Sequence, residues 1–370
     1  MKSVDIVRVL HVIGSMNCGG AEMMLMNLYR KIDRSKVQFD FVEHTDQEAL
    51  YDTEIMRLGG KIYHCPRFIG KNYLIYKKWW EDFFEINGES YTIVHGHIGS
   101  TAAIYLKCAK KYGKYTIAHS HNTKGSWSMK EAMYRLLSRK VVGVADEFFA
   151  CSRAAGIDRF GKNKKFKVLN NAIDTKKYIY SDEIRKKVRS ELGVGNEFII
   201  GHVGRFSYQK NHQFLIDIFA ELKKEQNSNV KLLLIGDGEE IDLIKNKVES
   251  LKLKEDVIFT GIRSDVNRFL QAMDIFVFPS LYEGLPLSIV EAQTAGLPCV
   301  ISNKVPDECI ITDGLVTIVD LSESAKTWAR HILNRKDFVR RDTSEEIKAH
   351  GFDISETTRW LERFYIEHGK

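Results

Sequence analysis

No stretch of this 370-residue chain approaches the roughly 20 consecutive apolar residues that a membrane helix needs. The opening residues Met1–Arg8 run straight into a strand pattern without a signal-peptide core, so the expected location is the cytosol. Six cysteines lie scattered with no Cys-x-x-Cys pair; they read as reduced thiols, and neither a disulfide framework nor a structural zinc site is expected. The chain has no short-period repeat and no low-complexity tract. It also lacks the G-x-G-x-x-G fingerprint, and no acidic residue follows at the expected end of the second strand, which argues against a dehydrogenase.

What is present fits a globular enzyme of two domains: 44% apolar and 28% charged residues over a length too great for one typical domain. The net charge of +6 is unevenly spread. Residues 1–175 hold 27 basic and 18 acidic side chains, a net +9, leaving −3 for the remainder. A basic N-terminal half suits an anionic partner, either a membrane surface or a phosphate-bearing acceptor; solubility alone explains it equally well. No nucleic-acid partner is expected.

Apolar β-rich runs alternate with amphipathic stretches. Strands are expected at Val7–Ile13, Gln38–Val42, Ile62–His64, Thr92–His95, Tyr115–His119, Glu147–Cys151 and Lys167–Leu169. Helices are expected at Ala21–Lys31, Glu48–Leu58, Leu74–Ile86, Ser100–Tyr112 and Lys130–Val144. After a polar stretch, Thr175–Asn196, the pattern restarts. Its strands are Phe198–Val203, Val230–Ile235, Val257–Thr260, Ile275–Phe278, Cys299–Ser302 and Val316–Val319; its helices include His212–Glu225, Glu239–Leu251, Val266–Ala272 and Leu287–Ala295. Such alternation predicts an α/β chain of two doubly wound, Rossmann-like units, each with a covered parallel sheet. A final helix, Ile354–His368, has no strand after it and must dock on something already formed.

Open parallel sheets bind ligands beyond the carboxyl ends of their strands. After the first strand come Gly19 and Gly20, where backbone can approach a phosphate at a helix start; tight turns use the same pair. His95-Gly96-His97 and His119-Ser120-His121-Asn122 end two later strands. With no carboxylate or thiol beside them, neutral imidazoles hydrogen-bonding a sugar or phosphate are expected rather than metal ligands, though His95 and His119 also fit as satisfied structural residues. Gly204-Arg205, with Lys210 five residues on, can clamp two phosphates and oppose leaving-group charge. The segment Glu283-Gly284-Leu285-Pro286-Leu287-Ser288-Ile289-Val290-Glu291 places free amides near Leu285 and Leu287 at a helix start, with one carboxylate on the loop and one on the helix. Gly236-Asp237-Gly238-Glu239 reads as a structural turn, and Ile262 follows a strand where backbone can meet a base.

Gly19-Gly20, Gly204-Arg205 with Lys210, and Glu283 separated by seven residues from Glu291 together resemble the retaining family-4 glycosyltransferases of GT-B fold. The likeness spans nearly the whole chain and is greatest to bacterial capsule and exopolysaccharide members. The resemblance implies transfer of a hexose or N-acetylhexosamine from a nucleotide diphosphate sugar, with uridine the usual nucleotide, to a glycan or lipid-diphosphate-linked acceptor. It implies that Arg205 and Lys210 bind the diphosphate, Glu291 the ribose and Glu283 the donor sugar. His121 would touch the sugar or acceptor, with His97, His119 and Asn122 on the acceptor side. No metal or other cofactor is implied, in keeping with the lack of an Asp-x-Asp segment after a strand. The implied domains are 1–175 with the crossing helix 352–370, and 176–351, facing across a cleft; peripheral attachment to the inner face of the cytoplasmic membrane is compatible. Two departures stand out: Asn170-Asn171-Ala172 replaces the family's Pro-Asn-Gly, and Asn303-Lys304-Val305 replaces a common Gly-Gly. A GT-B nucleotide-sugar epimerase and a non-catalytic nucleotide-sugar-binding subunit are the alternatives.

Overall fold

The structure, a computed structural model, describes residues 6–17, 19–121, 139–225 and 229–369. It divides into two compact units, Met1–Ile173 with Asp353–Lys370, and Asp174–Phe352.

The first unit is built on seven strands: β1 Val7–Ile13, β2 Val37–Glu43, β3 Ile62–His64, β4 Ile93–Gly96, β5 Tyr115–Ser120, β6 Glu147–Ala150 and β7 Lys167–Val168. They form one parallel sheet in the order β3-β2-β1-β4-β5-β6-β7. Both faces are covered, which is why most strands read as continuous apolar runs. Helix α1, Gly20–Lys31, packs on one face with Val9, Ile13, Phe39 and Phe41. On the other face lie α3, Tyr73–Asn87, and α4, Ala102–Lys111, around Trp80, Phe84 and Tyr105. The short α2, Asp52–Arg57, begins four residues later than the sequence pattern suggests. Asp52 accepts from the Ala49 N–H at 2.8 Å and so ties down the turn before it. Helix α5, Arg153–Phe160, is not anticipated; its Ser152 cap is the one local signal for it. The helix expected at Lys130–Val144 lies largely outside the described residues, and Lys140–Gly143 is a 3-10 turn.

The second unit carries β8 Phe198–Val203, β9 Val230–Ile235, β10 Val257–Phe259, β11 Ile275–Phe278, β12 Cys299–Ser302 and β13 Val316–Val319, all parallel, in the order β10-β9-β8-β11-β12-β13. Its helices are α6 Asp182–Glu191, α7 His212–Glu225, α8 Ile241–Ser250, α9 Val266–Ala272, α10 Leu287–Thr294, α11 Ala325–Leu333 and α12 Ser344–Ala349. One core joins α7, α8 and α11 to the sheet around Phe219, Ile244 and Trp328. In each sheet the strand order reverses beside the first strand, so the crevice for a ligand opens between β1 and β4, and between β8 and β11.

The last helix, α13 Ile354–His368, belongs to the first unit. Asp353 caps it by accepting from Ser355 and Glu356, and the Ile354 N–H donates to the Ile173 carbonyl at 2.8 Å. Leu361 and Tyr365 are fully buried against β1 and β2. Leu361→Ala should therefore cost about 2–5 kcal/mol of stability; a denaturant midpoint unchanged from wild type would show that α13 is not part of this core. Among the described residues no helix is long and apolar enough to cross a membrane.

Candidate active site

In the second unit the chemistry gathers at the β8/β11 crevice. The chain leaves β8 through Gly204-Arg205-Phe206-Ser207, makes a 3-10 turn at Tyr208–Lys210, and enters α7 through Asn211 in the left-handed conformation (φ 57°). Asparagine tolerates that geometry, and its Nδ2 donates to the Pro279 carbonyl at 3.1 Å. Close approach of a neighbouring turn explains Gly236: a Cβ there would stand 2.1 Å from the Gly204 carbonyl oxygen.

The loop after β11 is laced to this one. The Leu281 N–H donates to the Gln209 carbonyl at 2.8 Å, and Gln209 Nε2 donates to the Tyr282 carbonyl at 2.9 Å and to Glu283 Oε2 at 3.0 Å. Lys210 Nζ lies 2.7 Å from Glu283 Oε1, with side chains 16% and 5% exposed, and 4.6 Å from the centre of the Phe278 ring. A desolvated ion pair of this kind is costly to build and is no device for stability alone. Lys210 has three N–H donors and shares one with Glu283, leaving two for an anion.

Pro286 precedes α10, and no side chain caps that helix, so its first amides and positive dipole end remain available beside Leu285 and Leu287. Gly284 lies exposed on the same loop. Glu291, on the second turn of α10, is half-buried and accepts from Tyr178 Oη at 2.7 Å. Desolvation pushes its carboxyl up to about 7, although the Tyr178 hydrogen bond works the other way. Tyr178 is absent from the sequence-based site. It lies in the polar stretch after the first unit, where no local pattern marks it.

Arg205 does not join Lys210. Its side chain is 72% exposed and paired with Glu239 at 3.0 Å. Ile262 is 79% exposed after Gly261, and the neighbouring Arg263 is paired with Asp265.

In the first unit Gly19 precedes α1 and Gly20 opens it. The Gly20 carbonyl accepts from Asn171 Nδ2 at 3.4 Å. An acidic residue does stand at the end of β2, contrary to the sequence expectation, because the strand runs one residue further, to Glu43. Glu43 is buried, accepts from the Met16 N–H at 2.5 Å and is pushed up to about 7 by desolvation. It braces the loop after β1.

The histidines converge. His11 on β1, His95 and His97 at the end of β4, and His119 and His121 at the end of β5 point to one face. His11 Nδ1 lies 3.0 Å from His97 Nε2, and His97 Nδ1 lies 2.8 Å from His121 Nε2. His95 bridges Tyr365 Oη at 2.7 Å and His119 Nδ1 at 3.2 Å. Burial holds His95, His97 and His119 well below the usual imidazole range and takes His11 and His121 to about 3, so all five rings are neutral near pH 7. His11 went unrecognised in the sequence because it sits mid-strand among apolar residues. Asn122 lies outside the described residues.

Residues 183–334 match the family model for glycosyl transferases group 1, and residues 18–177 that for glycosyltransferase family 4. The chain is 34% identical over 374 residues to the putative glycosyltransferase EpsF of Bacillus subtilis (strain 168), covering 97% of this chain and 96% of that one. It is 26% identical to the capsular polysaccharide biosynthesis glycosyltransferase CapH of Staphylococcus aureus, over 97% and 99% of the two chains. It is 28% identical to the UDP-Gal:alpha-D-GlcNAc-diphosphoundecaprenol alpha-1,3-galactosyltransferase of Escherichia coli, over 75% and 76%. The crystal structure of Anabaena Alr3699/HepE in complex with UDP superposes with a TM-score of 0.79 at 20% identity, over 97% and 99% of the chains. Similarity at this level along the whole length means that the chain belongs to the family-4 glycosyltransferases of GT-B fold, among those related to capsular and exopolysaccharide biosynthesis.

Proposed function

We propose that the chain transfers a hexose or N-acetylhexosamine from a UDP-sugar to a glycan or lipid-diphosphate-linked acceptor in surface polysaccharide synthesis, with retention at the anomeric carbon. The observation that carries this reading is the buried Lys210–Glu283 pair set beside the uncapped start of α10, which lies about one turn from Glu291. Glu291 accepts the two ribose hydroxyls in place of Tyr178. The diphosphate takes the free donors of Lys210 and the first amides of α10, with Arg205 swinging from Glu239 to join it. Glu283 holds a hydroxyl of the donor sugar.

As the bond from the anomeric carbon to the diphosphate oxygen breaks, negative charge grows on that oxygen, and the fixed cation and amides lower the barrier. The acceptor hydroxyl attacks from the face the diphosphate leaves, and its proton passes to the departing phosphate oxygen. His121, neutral near pH 7, serves as a hydrogen-bonding group toward sugar or acceptor. No step calls on a metal or other cofactor.

The lipid-linked acceptor draws support from the printed activity of the Escherichia coli relative. An anionic membrane surface as docking place draws support from the net +9 of residues 1–175 and from exposed Tyr73, Leu74 and Ile75 beside Lys71, Lys77 and Lys78. A panel of nucleotide sugars in a thermal-shift assay tests the donor: the UDP-sugar substrate should raise the melting temperature by several degrees, as expected for saturation well above Kd. A panel in which only guanosine or adenosine sugars act would overturn the assignment to uridine.

A further inference from the structure

Five clustered imidazoles are more than the transfer chemistry uses. They arise because His11 and His95 sit level on β1 and β4, while His119 lies two residues beyond Ile117, the β5 partner of His95, and His97 and His121 each follow two residues further along their own strands on the same face. The His95 and His119 rings stack across two strands with centroids 5.2 Å apart, and the His119 and His121 rings, two residues apart on one strand, lie tilted at 4.1 Å. One ring nitrogen from each of His97, His119 and His121 lies within 4.8 Å of the other two. His119 Nε2 is buried with no hydrogen-bond partner among the described residues, an unfavourable state for a polar atom.

We infer that His97, His119 and His121 form a binding site for one divalent transition-metal ion of the zinc class, with the fourth position left to water or an anion. Imidazole is a preferred ligand for such ions. The remaining histidines can supply outer partners for two of the ligating rings. With His119 Nδ1 donating to His95 Nε2, His95 Nδ1 to Tyr365 Oη and His97 Nε2 to His11 Nδ1, one of the tautomer sets that these contacts allow, His119 Nε2 and His97 Nδ1 are lone pairs. Zinc–nitrogen bonds of about 2.0–2.1 Å in a tetrahedron set ligand nitrogens about 3.3 Å apart. The His97–His121 contact of 2.8 Å must then open by about half an ångström, a small movement for His121, the one ring of the five that is only partly buried. This inference goes beyond the proposed transfer reaction. Occupancy withdraws His121 from the role proposed for it above, so bound metal should inhibit transfer.

Chelator-treated protein titrated with zinc chloride should bind one ion per chain and melt on the order of 5 °C higher at hundred-fold excess over Kd. Cobalt(II) should give visible d–d bands without a thiolate charge-transfer band, which separates this site from the buried cysteines. His97→Gln and His121→Asn should each abolish the zinc-dependent rise; if His97→Gln does not fold, His121→Asn, at the partly exposed end, decides. No stoichiometric ion, a thiolate band, or binding that survives the substitutions overturns the site. These readouts need no turnover, so they stand or fall apart from the donor and acceptor assignment.

Discussion

Replacing Lys210 by alanine is expected to lower turnover by two to three orders of magnitude, the usual consequence of losing one group that stabilises transition-state charge. The same change leaves Glu283 buried without its cation, so stability should fall by about 2–3 kcal/mol, somewhat under the cost for a fully enclosed pair because Lys210 keeps 16% of its side chain exposed. Activity loss and instability must therefore be separated. Lys210→Met combined with Glu283→Gln removes both charges and keeps volume, and its denaturant midpoint should return to within about 1 kcal/mol of wild type. Turnover in the double variant should stay at the level of Lys210→Ala or lower. Restored turnover would mean that the pair is structural and the chemistry lies elsewhere. Arg205→Ala offers the complementary case: its pair with Glu239 is on the surface, so folding should be unaffected while turnover drops.

Glu291→Gln should make the protein more stable at pH 8 and worse at binding donor. The folded-state carboxyl, raised to about 7 by desolvation, holds its proton more tightly than in the unfolded chain. Its contribution to stability is thus complete below the ordinary carboxyl range, declines as pH rises through 7, and is absent at pH 8. Discounting for its partial exposure, removing the charge should gain about 1–2 kcal/mol at pH 8 and little at pH 4. Urea titrations at the two pH values test this; a variant with the pH dependence of wild type would sink it. UDP affinity should meanwhile fall roughly ten- to hundred-fold, the worth of charge-assisted hydrogen bonds. A residue that costs stability while empty and contributes binding when occupied is what a functional site leads one to expect.

The sequence carried much of this, for identifiable reasons. Strands β1, β3, β8, β9, β11, β12 and β13 have the predicted ends because each is an apolar run closed by glycine, proline or a polar turn. Lys210, Glu283 and Glu291 stand out as candidates because they lie on the loops, and on the one helix start, that follow two strands whose ends the pattern locates. Tyr178 was not, since its contact with Glu291 spans 113 residues with no periodic signal between. The histidine cluster shows the limit most clearly. Each His-x-His pair is visible alone, but only the crossover order β1-β4-β5 puts them beside one another and beside His11, and that order is a property of the wound sheet rather than of any local segment. Glu43 was missed through a one-residue error in a strand end.

The central claim is that the β8/β11 crevice of the second unit binds a nucleoside diphosphate through Lys210, the start of α10 and Glu291. A crystal structure of the UDP complex tests it most directly. The account predicts a diphosphate oxygen within about 3 Å of Lys210 Nζ and the ribose diol on Glu291 in place of Tyr178. UDP seated elsewhere, or in that crevice with the Lys210–Glu283 and Tyr178–Glu291 contacts undisturbed and remote from it, would contradict the account.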